Sequence, residues 1–200
     1  MNIVLPDGTT KELAAGATVA DVAASIGAGL AKAALAGKVD GTLVDLTAPV
    51  TDGATVEIIT SKSPEALSIM RHSCAHIMAE AVQELFPGAQ IAFGPATDDG
   101  YFYDFELPKN ISSDDFAAIE KKMAEIVKAD EPFVREVVTV DQAKEIFADQ
   151  RFKLEHIDDL KDEEISIYRH GSFVDLCAGP HIPSAGKIGA FKMMKLAGAY

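Results

Sequence analysis

The stretch that most constrains this chain runs from Ser63-Pro64 to Pro87-Gly88, with no glycine and no further proline between the two prolines. Proline at a first helical position and a Pro-Gly pair past the end are start and stop signals, and a serine just ahead of the proline can cap the free amides. The spacing therefore predicts one helix over residues 63–87, roughly 34 Å long at about 1.5 Å per residue. Leu67, Met70, Cys74, Ile77, Ala81 and Leu85 recur at intervals of three and four and form one apolar face. Ile69, His72, His76, Ala79 and Phe86 form a second face without charge. A helix apolar on two faces is buried on two sides, so His72 and His76 point the same way into protein. Alone, such a pair reads as two satisfied core histidines. A second polar cluster, Asp175-Leu-Cys177-Ala-Gly-Pro-His181, offers them partners far along the chain.

Composition narrows the classes. Two hundred residues, 48% hydrophobic and 24% charged, suit one or two ordinary soluble domains. No apolar run is long enough to cross a membrane and the N-terminus lacks a signal-peptide pattern, so the expected location is cytoplasmic. Cys74 and Cys177 each stand near histidines, which favours metal binding or catalysis over a disulfide. A net charge of −13 argues against general nucleic-acid binding, because neutralising phosphates takes Lys and Arg. One local exception follows Asp175, where Lys187, Lys192 and Lys195 occur with no acidic residue. It reads either as a solvated tail or as a landing place for phosphates.

The first sixty residues have the rhythm of a small α+β domain. Strands are expected over residues 2–5 and 10–13, joined by the Pro6-Asp7-Gly8 turn. Thr18-Val-Ala-Asp21 is a capping box opening a helix over 19–26, ended by Gly27. An alanine-rich segment over 30–36 stops at Gly37, and strands follow over 42–46 and 55–60. A short polar linker at 60–63 leads into the long helix. Beyond it, strands over 89–94 and 101–107 flank the turn Asp98-Asp99-Gly100. Ser112 to Asp115 is a second capping box, before an amphipathic helix carrying Phe116, Ile119, Met123 and Ile126 inward. Further strands are expected over 133–140, 152–156, 165–169 and 172–177, with Asp141 capping a short helix that ends near Ala148. In the last strand Asp175 and Cys177 share a face, and Gly179-Pro180 brings His181 round.

If the long helix faces that strand end, two chemistries are open. His72, His76, Cys177 and His181 would make an acceptable tetrahedral zinc set, lacking the glutamate that zinc proteases place between their histidines. Alternatively, a histidine acts as general base on a water and a cation stabilises the developing oxyanion, with Lys153 the candidate cation.

Two resemblances bear on this choice. Pro6-Asp7-Gly8, Gly16-Ala-Thr18-Val-Ala-Asp21, Leu30-Ala-Lys-Ala-Ala and Val56-Glu-Ile-Ile-Thr60 resemble a TGS domain, which implies a ubiquitin-like β-grasp. His72-Ser-Cys-Ala-His76, Gly100-Tyr-Phe-Tyr103-Asp-Phe and Val174-Asp-Leu-Cys-Ala-Gly-Pro-His181 resemble the editing domain of bacterial threonyl-tRNA synthetases, and residues 192–200 resemble the strand that family runs next. The resemblance implies a TGS domain over 1–62 and an α+β editing domain over 63–200, with a long central helix against antiparallel sheet. It implies hydrolysis of Ser-tRNA(Thr), because a single methyl gives a charging site only about 1–3 kcal/mol against serine. By the family's motifs His72, Lys153 and Cys177 are the catalytic set, and His76, Tyr103, Asp175 and His181 bind substrate. Ala178 departs from the family, which commonly has an arginine there.

No metal or cofactor is implied for this portion; ATP and zinc would belong to a catalytic core whose motifs the sequence lacks, so aminoacylation is not expected of it. The implied partner is the serine-bearing 3′ end of tRNA(Thr), with no membrane. The resemblance implies a homodimer for the full-length family member, and a monomer is expected for the fragment. The alternatives are a zinc-dependent alanyl-type editing protein and a non-catalytic tRNA-sensing module.

Overall fold

The structure is a computed structural model that describes residues 1–160 and 164–198. Its contacts group into two compact units, Met1–Met70 with Gly179–Pro183, and Arg71–Ala178 with Ser184–Tyr200.

The first unit is a β-grasp. Strands β1 (Asn2–Val4) and β2 (Thr10–Glu12) form an antiparallel hairpin. Its turn uses Gly8 at φ +82 and an Asp7 carboxylate that accepts the Thr9 amide. Helix α1 (Val19–Ile26) starts at the Thr18/Asp21 capping box, with both reciprocal bonds present. After the short α2 (Ala28–Ala33), strand β3 (Ala34–Val39) runs between β4 (Thr42–Val44) and β5 (Val56–Thr60), antiparallel to both. Ile3, Val19, Val22, Val50 and Val56 fill the core.

The expected alanine-rich segment over 30–36 is thus split, and β3 takes its second half. Alanine favours helix, yet packing overrides it. A Cβ on Gly37 would lie 2.4 Å from Val19 Cγ1, so α1 crosses β3 where only a bare backbone fits.

The long helix is α3 (Ala66–Leu85), which lies in the second unit from Arg71 on. Ser63 Oγ accepts from the Thr60 amide at 3.1 Å, and the helix opens at Ala66. Gly88, at φ +91, ends it as expected. Every residue from 73 to 82 is buried, and Leu67, assigned to the apolar face, is exposed. The two strands expected around Asp98-Asp99 give way to four short ones. β6 (Gln90–Ile91) pairs with β9 (Phe105–Glu106), and β7 (Ala96–Thr97) with β8 (Gly100–Tyr101). The Tyr103 ring lies over Gly94, where a Cβ would come within 2.0 Å of it, and the ladder parts around that contact.

Ser112 and Asp115 form the second capping box, leading through a 3-10 turn into α4 (Phe116–Ala129), which buries Ile119, Met123 and Ile126. Strands β10 (Val134–Val138), β11 (Ile165–His170) and β12 (Phe173–Leu176) form an antiparallel sheet in that order. α5 (Val140–Ile146) is capped by Thr139 with Gln142, not by Asp141. Residues expected as a strand over 152–156 lie in α6 (Arg151–Asp159). Phe152-Lys-Leu-Glu-His alternates like a strand, but the buried residues are Lys153 and Ile157, one helical turn apart. Ile157 packs with Ala143, Phe147, Ile165, Ile167 and Leu176. The strand expected over 192–200 is absent from 192–198; residues 199–200 lie outside the described residues. Lys192 bonds Glu120 at 2.8 Å, so its charge is matched within the chain. No helix among the described residues is long and apolar enough to cross a membrane.

Candidate active site

His72, His76 and Glu80 recur every fourth residue on α3, roughly 6 Å apart along its axis. Phe173, Asp175 and Cys177 alternate on β12 and its extension, roughly 6.6 Å apart. The Cys177 amide continues the ladder by donating to Ser166 O at 3.1 Å. Because the two steps nearly match, the rows meet rung by rung. His72 Nε2 lies 3.3 Å from Cys177 Sγ, and His76 Nε2 lies 3.3 Å from Asp175 Oδ2. The His76 ring also meets Phe173 edge-on, centroids 5.8 Å apart. At the third level Glu80 Oε2 is 2.5 Å from Nδ1 of His170, which pairs with Phe173 across the β11–β12 hairpin.

Two other elements converge on Asp175. Tyr103, between β8 and β9, donates its hydroxyl to Asp175 Oδ2 at 2.5 Å. Lys153, in the first turn of α6, places Nζ 2.6 Å from Asp175 Oδ1 and 3.3 Å from the Tyr103 hydroxyl, and it donates to the Ala92 carbonyl. Lys153 is 1% exposed and Asp175 2% exposed. Charges so deep are tolerable only as a tightly bonded set. Burial lowers the His76 pKa to about 3 despite the Asp175 carboxylate beside it, so His76 is neutral near pH 7. Burial, then the Asp175 charge, pushes the Tyr103 hydroxyl well above its ordinary value, so it stays a donor.

The result is a buried ionic floor of Asp175, Lys153, Tyr103 and His76, with His72 and Cys177 half-buried at its edge. Such an arrangement can accept a proton at an imidazole and hold an amine or hydroxyl against a fixed carboxylate. The ligand atoms of His72, His76 and Cys177 also lie within 4.8 Å of one another, close enough to share a metal ion. Cys177 belongs here; His181 is buried, and its amide donates to Asp45 Oδ1 at 2.9 Å.

Sequence reasoning passed over the Glu80–His170 pair. The available signal was an acid continuing the His72, His76 spacing on an otherwise uncharged stretch.

Comparison with known proteins fits this architecture. Residues 1–60 match the TGS domain family, and residues 165–198 match the Threonyl and Alanyl tRNA synthetase second additional domain. The whole chain aligns with threonine–tRNA ligases from Pelobacter propionicus, at 50% identity over 202 residues, and Citrifermentans bemidjiense, at 52% over 202. A third, from Thiobacillus denitrificans, is 52% identical over 205 residues, again with 100% of this chain covered. The chain matches threonine–tRNA ligases from end to end. It spans about a third of their length, 32% of each of these three ligases. The ligase-like sequence includes β11, β12 and the Asp175 and Cys177 positions within the matched second additional domain.

Proposed function

We propose that this chain is a proofreading module that hydrolyses the ester of Ser-tRNA(Thr). Residues 1–62 would be the TGS domain and residues 63–200 the deacylase. The observation that carries the reading is His76 Nε2 held 3.3 Å from Asp175 Oδ2 beside the half-buried His72–Cys177 pair. In this reading His72 takes a proton from a water, which attacks the seryl carbonyl. The ester C–O bond then breaks, and the proton passes to the departing ribose oxygen. The products are serine and tRNA with a free terminal hydroxyl. Asp175 and Tyr103 hold the serine amine and hydroxyl, with His76 and His181 completing the binding groups. Lys153, held by Asp175 beside the Tyr103 hydroxyl, is the cation that stabilises developing negative charge, and Cys177 orients His72.

Threonine carries the same amine and hydroxyl, so selectivity rests on excluding its methyl. Overpacking costs about 1–3 kcal/mol, about ten- to a hundredfold in rate. Purified chain incubated with Ser-tRNA(Thr) and Thr-tRNA(Thr) should release serine at least tenfold faster. His72→Ala should abolish release while the chain stays folded. Equal release from both esters, or an active variant, would overturn the assignment.

The grouping of His72, His76 and Cys177 supports a second reading, a zinc-dependent deacylase. Those three would hold the metal, which would supply a Lewis acid for the carbonyl. We favour the metal-free reading, on the likeness to threonine–tRNA ligases. Elemental analysis of protein purified without chelator should find less than one zinc per five chains; stoichiometric zinc lost in Cys177→Ala would favour the alternative. The partner is the 3′ end of tRNA(Thr), with no cofactor and no membrane. The setting is cytoplasmic protein synthesis, with a homodimeric parent ligase and a monomeric fragment.

A further inference from the structure

We infer that Glu80 and His170 set the register of α3 against the β11–β12 hairpin, and so fix the distance between His76 and Asp175. The inference deepens the hydrolytic reading above and rests on it for its kinetic arm only.

Three rungs join the helix to the hairpin: His72 with Cys177, His76 with Asp175, and Glu80 with His170. They differ in strength. The first two are 3.3 Å contacts, and the first is half-exposed. The third is 2.5 Å between a carboxylate 5% exposed and an imidazole 2% exposed. A short charge-assisted bond in a dry setting is strongly directional. His170 is further held by Phe133, whose ring lies 4.4 Å away at 30°. On the other side a Cβ at Gly171 would come within 3.0 Å of Glu80 Oε1, so the hairpin backbone closes tightly over the carboxylate. Among the described residues, neither is hydrogen-bonded to Asp175, Lys153 or Tyr103. Ala79 and Ala81, on either side of Glu80, are small and offer little to interlock at this level. A slide of one helical residue moves His76 by about 1.5 Å along the axis, enough to break a 3.3 Å contact. Glu80 and His170 are therefore positioning residues, acting through helix register and not on substrate.

Two variants of the whole chain test this. Glu80→Gln keeps an acceptor for the His170 Nδ1 proton. The double variant Glu80→Leu with His170→Phe replaces the pair by apolar side chains, which pack without a fixed register. Both should unfold within a few degrees of the unaltered chain. The double variant should lose tenfold or more in kcat on Ser-tRNA(Thr), with KM changed less than threefold, and the NMR signals of the His76 ring should shift and broaden. Glu80→Gln should keep kcat within threefold and the His76 signals in place. A stably folded double variant with unchanged kcat and unmoved His76 signals would overturn the inference, as would a folded Glu80→Gln as damaged as the double. If the unaltered chain releases no serine, the proposed function falls, and the His76 signals alone decide the register. If the double variant does not fold, Glu80→Gln decides by the same two readouts.

Discussion

Residues 1–70 and residues 71–178 face the same task, packing helix against sheet, and meet it with different side chains. In the first stretch every buried residue among those described is apolar or glycine, with Ile3, Val19, Val22, Val56 and Ile59 at the centre. In the second, His76, Glu80, Lys153, His170 and Asp175 are buried alongside Ile77, Ile157 and Ile167. Apolar contacts are non-directional and tolerate repacking. Buried ions are tolerated in one geometry and penalise every other. The difference teaches where the chain spends structural precision: the β-grasp needs only a shape, whereas the second stretch holds particular atoms at particular distances.

The hardest test of that contrast removes one charge. Lys153→Met keeps the length of the side chain and leaves Asp175 with only Tyr103 and His76 as partners. Stranding a buried charge costs about 3–5 kcal/mol. Chemical denaturation should register a loss of that order, concentrated in amide exchange of α6 and β12. Ile59→Val in the first stretch should cost only about 0.5–1.5 kcal/mol. Similar losses from both would break the comparison.

The next effect asks whether the first stretch is as forgiving as its composition suggests. One tight point in it is Gly37 beneath Val19. Gly37→Ala should cost about 1–3 kcal/mol, the usual range for overpacking. Val19→Ala should recover much of that loss when combined with it, because the clash is with the valine methyl. A neutral Gly37→Ala would show that α1 can lift away from β3, and shape itself would then be loose there.

Acid should separate the two stretches by a different route. His76 holds a folded pKa of about 3 against an ordinary 6.5, chiefly through burial. Below 6.5 the unfolded chain takes up a proton that the folded one refuses. The folded state therefore has its full stability from this group above pH 6.5 and loses it as pH falls toward 3, at about 1.4 kcal/mol per unit. Denaturation curves at pH 6 and pH 5 should show that slope, and His76→Asn should flatten it. No histidine stands in residues 1–70, so amide exchange there should lack this contribution. An unaltered slope in His76→Asn would remove His76 as its source.

These contrasts were unevenly legible in the sequence. Local chemistry read well: the Thr18 and Ser112 capping boxes, the Asp7-Gly8 turn and the ends set by Gly27 and Gly88 all depend on neighbours in the chain. His72, His76, Tyr103, Lys153, Asp175 and Cys177 were recognisable through motifs, and the structure places them together. What failed depended on distant partners. β3 was missed because Gly37 owes its place to Val19, and α6 because Lys153 is buried by Asp175. Glu80 drew no notice because its partner, His170, is ninety positions away. The short pairs β6–β9 and β7–β8 follow from Tyr103 crossing Gly94, which no local pattern announces.

The smallest effect decides whether the contrast belongs to the cores at all. Helix caps use one mechanism wherever they occur: a side-chain oxygen accepts an amide that the helix cannot satisfy. Thr18 does this for α1, accepting from Asp21 at 3.3 Å, and Thr139 does it for α5, accepting from Gln142 at 3.2 Å. In each, the cap amide donates in return, to Asp21 Oδ2 at 2.8 Å and to Gln142 Oε1 at 2.9 Å. Both boxes are exposed, so neither draws on the buried surroundings that distinguish the two stretches. Thr18→Ala and Thr139→Ala should therefore cost about the same, each about 1 kcal/mol by denaturation. If they agree while Lys153→Met and Ile59→Val differ, local backbone chemistry is uniform along the chain and the asymmetry lies in what is buried. If Thr139→Ala proves several-fold more costly than Thr18→Ala, the second stretch is sensitive even to a surface bond, and its demand for precision extends from the ionic floor to the helix ends that frame it.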